Sequence, residues 1–214
     1  MQSWLDTALD RFETDNDDLV PRTRALLERL VPDTPRHARL LNTLSLLEHI
    51  GSRKIMTTQH SVGIDQPTLK HLAEEAHHAY FMKRQAEKTA GRTLDYEPED
   101  LLAPAAARMY FQRLEARLLR TLARQAGSRA TYLYMSMIVE FRALWFYRLY
   151  QETLSRLRQP LSLKRVLGEE RSHLTDMAAR LEAGSELSAD RASAFLDEER
   201  RLYGRFLGAL ERAA

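Results

Sequence analysis

Apolar residues recur at spacings of three and four along almost the whole chain, and alternating strand-like runs are absent. That period predicts a helical protein throughout. One or two short helices are expected first, Ser3 to about Phe12 and then Leu19 to about Leu30, with the Asp-rich segment 15–18 between and Pro32 and Pro35 ending this part. A long helix follows from about Arg36 to Thr58. Val62 to Pro67 reads as a turn, and Thr68 as the N-cap of a helix that runs to about Thr89. Gly91 to Pro104 is the longest irregular stretch and the expected crossover. Beyond it come a helix from about Ala105 to Gln125, a break at Ala126-Gly127-Ser128, and a helix from about Ala130 to Arg158. Pro160 interrupts, Ser162 caps a helix to about Ala183, and after Gly184-Ser185 a last helix spans about Ser188 to Arg212. Two long helices, a crossover and two more make the layout of a four-helix bundle with one long connection.

Some polar residues fall where this pattern calls for apolar ones. At about 100° per residue, Glu48 lies in the arc of Leu41, Leu44, Gly51 and Ile55. Glu140 lies among Leu133, Met137, Leu144 and Tyr147, and Glu170 and His173 share an arc with Leu163, Val166, Leu174, Met177 and Leu181. Solvated surface charges would sit on the opposite face. A buried lone carboxylate is very unfavourable unless neutralised, paired or bound to a metal, so several converging ones point to metal.

Spacing strengthens this reading. Glu170 and His173 are three apart and so neighbours on one helix face, and Glu75 and His78 repeat the pattern. The segments Leu69 to His78 and Leu163 to His173 align once one inserted residue is allowed. Glu75 and Glu170 are then 95 positions apart, as are His78 and His173 and also Met82 and Met177; Glu48 and Glu140 are 92 apart. The chain thus reads as two copies of a helical hairpin, each offering a Glu and then Glu-x-x-His. Oxygen and imidazole donors of this kind suit iron or manganese.

The least regular copy is the helix of Glu75. Its most apolar arc is Leu69, Leu72, Ala73, Ala76 and Ala79, with Glu75 at the edge and His78 further round. Glu74 and His77 have the same spacing and are the rival pair; the repeat alignment selects Glu75 and His78. His71, one turn before Glu75, is a candidate extra ligand or an outer partner of one.

At these residues the chain resembles the ferritin-like superfamily of di-iron carboxylate proteins, whose pattern is one Glu from each of two helices and Glu-x-x-His from each of the other two. The resemblance covers about residues 36–183. It implies an all-α, ferritin-like four-helix bundle with one long crossover, within a single domain 1–214. Helices in 1–35 and 184–214 would be additions that cover the bundle or mediate self-association into a homo-oligomer. It also implies six metal ligands, Glu48, Glu75, His78, Glu140, Glu170 and His173, with Glu75 and Glu170 bridging two Fe ions, or Mn ions in their place.

Composition narrows the chemistry. With no cysteine, disulfides, thiolate zinc, iron–sulfur clusters and a cysteine nucleophile are excluded. Lys and Arg number 32 against 30 Asp and Glu, mixed along most segments with no basic stripe, so nucleic acid is not an expected partner. No phosphate-cradling glycine motif, secretory leader or bilayer-length apolar run is present in the sequence; a cytoplasmic protein with no membrane partner is the default. Tyr147 and the cluster Tyr132, Tyr134, Phe141, Trp145, Phe146 and Tyr150 read as core, and His49, His60 and Asp176 as surface residues. Gly51, Ser52 and Ala143, about one turn beyond Glu48 and Glu140, are small enough to leave room for a substrate or for tight helix packing.

The first functional expectation is a di-iron or di-manganese oxidase or oxygenase that uses O2 or peroxide on a small organic substrate. Alternatives are a ferroxidase or iron-storage subunit taking Fe(II), or a rubrerythrin-like peroxidase without a cysteine-ligated module. A metal-free interaction protein on the same scaffold is the third class.

Overall fold

The computed structural model describes residues 3–59, 64–122 and 128–214, and among these it contains eight α-helices and no strand. They are α1 (Trp4–Asp15), α2 (Val20–Leu30), α3 (Thr34–Thr58), α4 (Gln66–Ala90), α5 (Pro104–Leu122), α6 (Ser128–Arg156), α7 (Lys164–Ala183) and α8 (Ala189–Ala213). The order of helices is the one the periodicity predicts, and the N-terminal stretch holds two of them, α1 and α2. Val62 and Gly63 of the expected turn at 62–67, Ala126 and Gly127 of the expected break, His60 and Gln125 lie outside the described residues, while Gln66 and Pro67 of that turn already belong to α4.

Three helix starts differ from the sequence reading for one shared reason. Pro35, Pro67 and Pro104 lie inside the first turns of α3, α4 and α5 and do not mark breaks. A proline there loses no intrahelical hydrogen bond, because the first amide groups of a helix have no partner in it. The caps move accordingly. Asp33 accepts from the Arg36 amide at 3.1 Å, and Asp65 accepts from the Thr68 amide at 2.9 Å, so Thr68 is capped and is not itself the cap. Ser162 does not cap α7 either. Leu163 holds that position, and its amide donates to Gln151 Oε1 of α6 at 2.6 Å. At the other end of α4, Gly91 takes a left-handed φ of 67° that a side chain would resist.

The chain divides into two compact units, Met1–Ala25 with Gln112–Arg205, and Leu26–Phe111 with Phe206–Ala214. In the first, α6 pairs with α7 and α1 packs on α6. α6 is apolar around most of its circumference, burying Tyr132, Tyr134, Phe141, Trp145, Phe146 and Tyr150 together, as expected of core. A buried polar knot fastens this helix. Arg142 Nε and Nη2 donate to Glu199 of α8 at 2.9 and 2.8 Å, and Nη2 also donates to Asn16 Oδ1 at 2.7 Å. The same guanidinium lies against the rings of Phe12, Trp145 and Tyr203 at 4.0–4.8 Å.

In the second unit α3 and α4 form an antiparallel hairpin. The segment 92–103, with a 3-10 turn at Pro98–Asp100, is tied to it by buried hydrogen bonds. Asn42 Nδ2 donates to the carbonyls of Asp95 and Asp100 at 2.8 and 2.9 Å, while its Oδ1 accepts from Lys83 at 3.0 Å. Ser45 Oγ donates to the Ala79 carbonyl at 2.7 Å and so accepts from the Tyr96 hydroxyl, also at 2.7 Å. These bonds fix the rotation of α3 against α4 around Glu48 and Glu75.

Candidate metal centre

On α3, Glu48 is buried with Leu41, Leu44 and Ile55 of the arc in which the helical wheel places it, and Gly51 of that arc is half-buried. α4 corrects the wheel. Its buried face is Thr68, His71, Glu75, His78, Ala79, Met82 and Ala86, whereas Leu69, Ala73 and Ala76 of the apolar arc are exposed. The helix has turned its polar donors inward. Glu74 pairs with Lys70 at 2.7 Å and His77 is exposed, so of the two equally spaced pairs it is Glu75 and His78 that the fold buries.

Glu48, Glu75 and His78 offer ligand atoms that lie within 4.8 Å of one another. His78 Nδ1 is 3.6 Å from Glu75 Oε1, and His71 Nε2 is 3.6 Å from the same oxygen. Gly51 of α3 faces this carboxylate, and a Cβ at its position would stand 3.4 Å from Glu75 Oε2. That is an ordinary contact distance, and Ser52 beside the glycine is buried.

The first unit carries the matching set. Glu140 of α6 and Glu170 and His173 of α7 are all at most 5% exposed. His173 Nδ1 lies 3.4 Å from Glu140 Oε1 and 3.5 Å from Glu170 Oε2. Val166, Leu174, Met177 and Leu181 are buried on the same face of α7, as the sequence pattern predicts. In both Glu-x-x-His motifs it is Nδ1 that approaches the motif carboxylate. Side chains lean toward the helix N-terminus, so a histidine three residues after the glutamate presents its nearer ring nitrogen.

The donor set and spacing fit a metal ion. Two atoms each about 2.0–2.2 Å from one ion lie about 2.8–3.1 Å apart at an octahedral edge and about 3.3–3.6 Å apart at a tetrahedral one. The four nitrogen–oxygen separations, 3.4–3.6 Å, match the wider of these edges and exceed the 2.7–3.2 Å of an ordinary N–H···O bond. Carboxylate and imidazole in an apolar interior, without thiolate, are the donors that hard to borderline divalent metals take. The buried His and Glu residues thus form groups that could hold a metal ion.

Other candidates fall as follows. His49 is half-buried and stacks on Tyr96 at 5.7 Å, and Asp176 is exposed and pairs with Arg180. Tyr147 is buried and Ala143 is half-buried. A cavity of about 150 Å³ between α1 and α8 is lined by Trp4, Phe12, Leu196 and their neighbours, and none of the candidate donors reaches it. Sequence reading passes over His37, whose burial lowers its pKa from 6.5 to about 4, and over Arg142, whose role depends on partners far away in the chain.

Comparison with protein-family models, with curated proteins and with solved structures finds no match to this chain. Among the described residues no helix is long and apolar enough to cross a membrane.

Proposed function

We propose that this chain is a di-iron or di-manganese carboxylate protein, an oxidase or oxygenase that uses O2 or peroxide on a small organic substrate. One observation carries the reading. Two hairpins related by the internal repeat each bury a Glu and a Glu-x-x-His, with imidazole nitrogens 3.4–3.6 Å from carboxylate oxygens. Glu48, Glu75, His78, Glu140, Glu170 and His173 are the six proposed ligands. Four carboxylates offset the charge of two divalent ions, and two imidazoles complete a set with fewer donors than two six-coordinate ions require. Such a pair of reduced ions supplies two electrons to one O2 or peroxide.

The chain's own residues set the conditions for that chemistry. The apolar neighbours Leu44, Ile55, Met137 and Met177 are buried beside the donors and keep bulk water from them. The assay is anaerobic Fe(II) loading of the full chain followed by exposure to O2, with metal stoichiometry and absorbance. Two irons per chain and a near-ultraviolet oxo-bridge band are expected. Fewer than one metal per chain, with no such band, sinks the proposal and leaves a metal-free scaffold.

A further inference from the structure

We infer that His71 is a third imidazole donor and that α4 alone marks both metal positions, with one imidazole on each side of Glu75. The inference rests on the metal reading above and goes beyond its six ligands. His71 lies four residues before Glu75 and His78 three residues after it, so the two rings flank the carboxylate from successive turns of one face. His71 Nε2 and His78 Nδ1 are each 3.6 Å from Glu75 Oε1. The ring atoms are those the helix direction dictates. His78 leans back toward Glu75 and offers its near nitrogen, whereas His71 leans away and reaches with its far one.

The internal repeat supplies the independent argument. In α7 the residue four before Glu170 is Val166, buried at 4% exposure; in α4 that slot holds His71, buried at 5%. A valine fills the position adequately in one copy. An imidazole in the other introduces polar atoms that are unfavourable in an interior unless they are bound. Glu48 and His78 gather with Glu75 in one group of ligand atoms, and His71 meets Glu75 from the preceding turn. Glu75 thereby becomes the shared carboxylate, with His78 serving one ion and His71 the other. The two ions are unequal as a result, because three imidazoles are divided between them. The ion on the His71 side gains a nitrogen donor that the repeat alone does not provide, and nitrogen donors raise affinity for later first-row divalent metals.

Co(II) is a suitable probe, since it is coloured and shifts the N–H protons of bound imidazoles far outside the ordinary proton spectrum. The full chain, stripped of metal, is titrated with Co(II) by calorimetry and absorbance, and the shifted exchangeable imidazole signals are counted. Two equivalents and three signals are expected. His71→Val, which installs the residue of the symmetry-related slot, should leave two signals and weaken one equivalent by about 100-fold or more, beyond the loss typical of an outer-shell partner. Two signals in the unmodified chain, or unchanged affinity for both equivalents in His71→Val, overturn the inference and leave the six-ligand reading standing. No Co(II) binding by the unmodified chain removes the metal reading and the inference with it. The signal count needs no variant, so a poorly folding His71→Val does not prevent a decision.

Discussion

Replacing Arg142 with methionine tests how the fold holds α6 in place. The guanidinium is 4% exposed and Glu199 is fully buried. Two hydrogen bonds of 2.8 and 2.9 Å join them in a bidentate pair, and a third of 2.7 Å reaches Asn16. Arg142→Met leaves the Glu199 carboxylate in an apolar site with its cation removed. Breaking a buried pair from one side typically costs about 3–5 kcal/mol. Domains of this size shift by about 2–4 °C per kcal/mol, so a fall in Tm of roughly 6–20 °C is expected. Arg142→Met combined with Glu199→Leu removes both charges and should recover most of the loss, since a well-packed apolar replacement of a buried pair is often neutral or better. Urea unfolding of the parent, both single variants and the double variant closes the cycle. Arg142 and Glu140 are two residues apart on α6 and point to nearly opposite sides. The pair on one side therefore fixes the rotation that presents Glu140 to His173 on the other. An Arg142→Met variant within about 1 kcal/mol of the parent, or a double variant no more stable than the single one, refutes this reasoning.

Three further outcomes are expected. His37 binds its proton near pH 6.5 when unfolded but only near about 4 when folded. The unfolded chain therefore holds more protons between those values, and stability falls by up to about 3 kcal/mol as pH drops through that window. Urea midpoints of the metal-free chain at pH 7.5 and 4.5 should show it, with a smaller difference in His37→Leu. Glu170→Ala should abolish metal binding while Glu169→Ala, whose carboxylate pairs with Arg165 at 2.9 Å, should keep it, as elemental analysis of the loaded protein will report. Chelation of metal should lower amide-exchange protection in α4 more than in α3; equal protection with and without chelator contradicts a metal contribution to the seating of α4.

Helix order was legible because the 3.6-residue period survives in every segment but α6, which is apolar on most sides and too long for a strand. The starts of α3, α4 and α5 were not, because Pro35, Pro67 and Pro104 signal either the end of one helix or the first turn of the next. The aspartates before the first two decide for the first turn: Asp33 and Asp65 lie two residues ahead of the proline, in the cap position. Arg142 was illegible for another reason. A charged residue in an apolar helix is interpretable only once its partners are known, and Glu199 and Asn16 are 57 and 126 positions away.

α4 shows most clearly why two sequence signals can disagree. The helical wheel assumes that apolar residues face inward, and on that rule Leu69, Ala73 and Ala76 would be buried. Instead Leu69 is 48% exposed and Tyr80 is 60% exposed, while Glu75 and three other polar residues are inside. Exposing a leucine in part gives up only a fraction of the about 1.5–3 kcal/mol its full burial brings. Burying a carboxylate and two imidazoles opposes folding by more than that unless something binds them. The hydrophobic pattern alone would therefore rotate α4 the other way. The repeat does not depend on hydropathy, since it records which positions in two hairpins do the same job, and it selects the face that the fold buries. Where periodicity and internal symmetry conflict, as at Glu75 and His78, it is the symmetry that marks the face the fold turns inward.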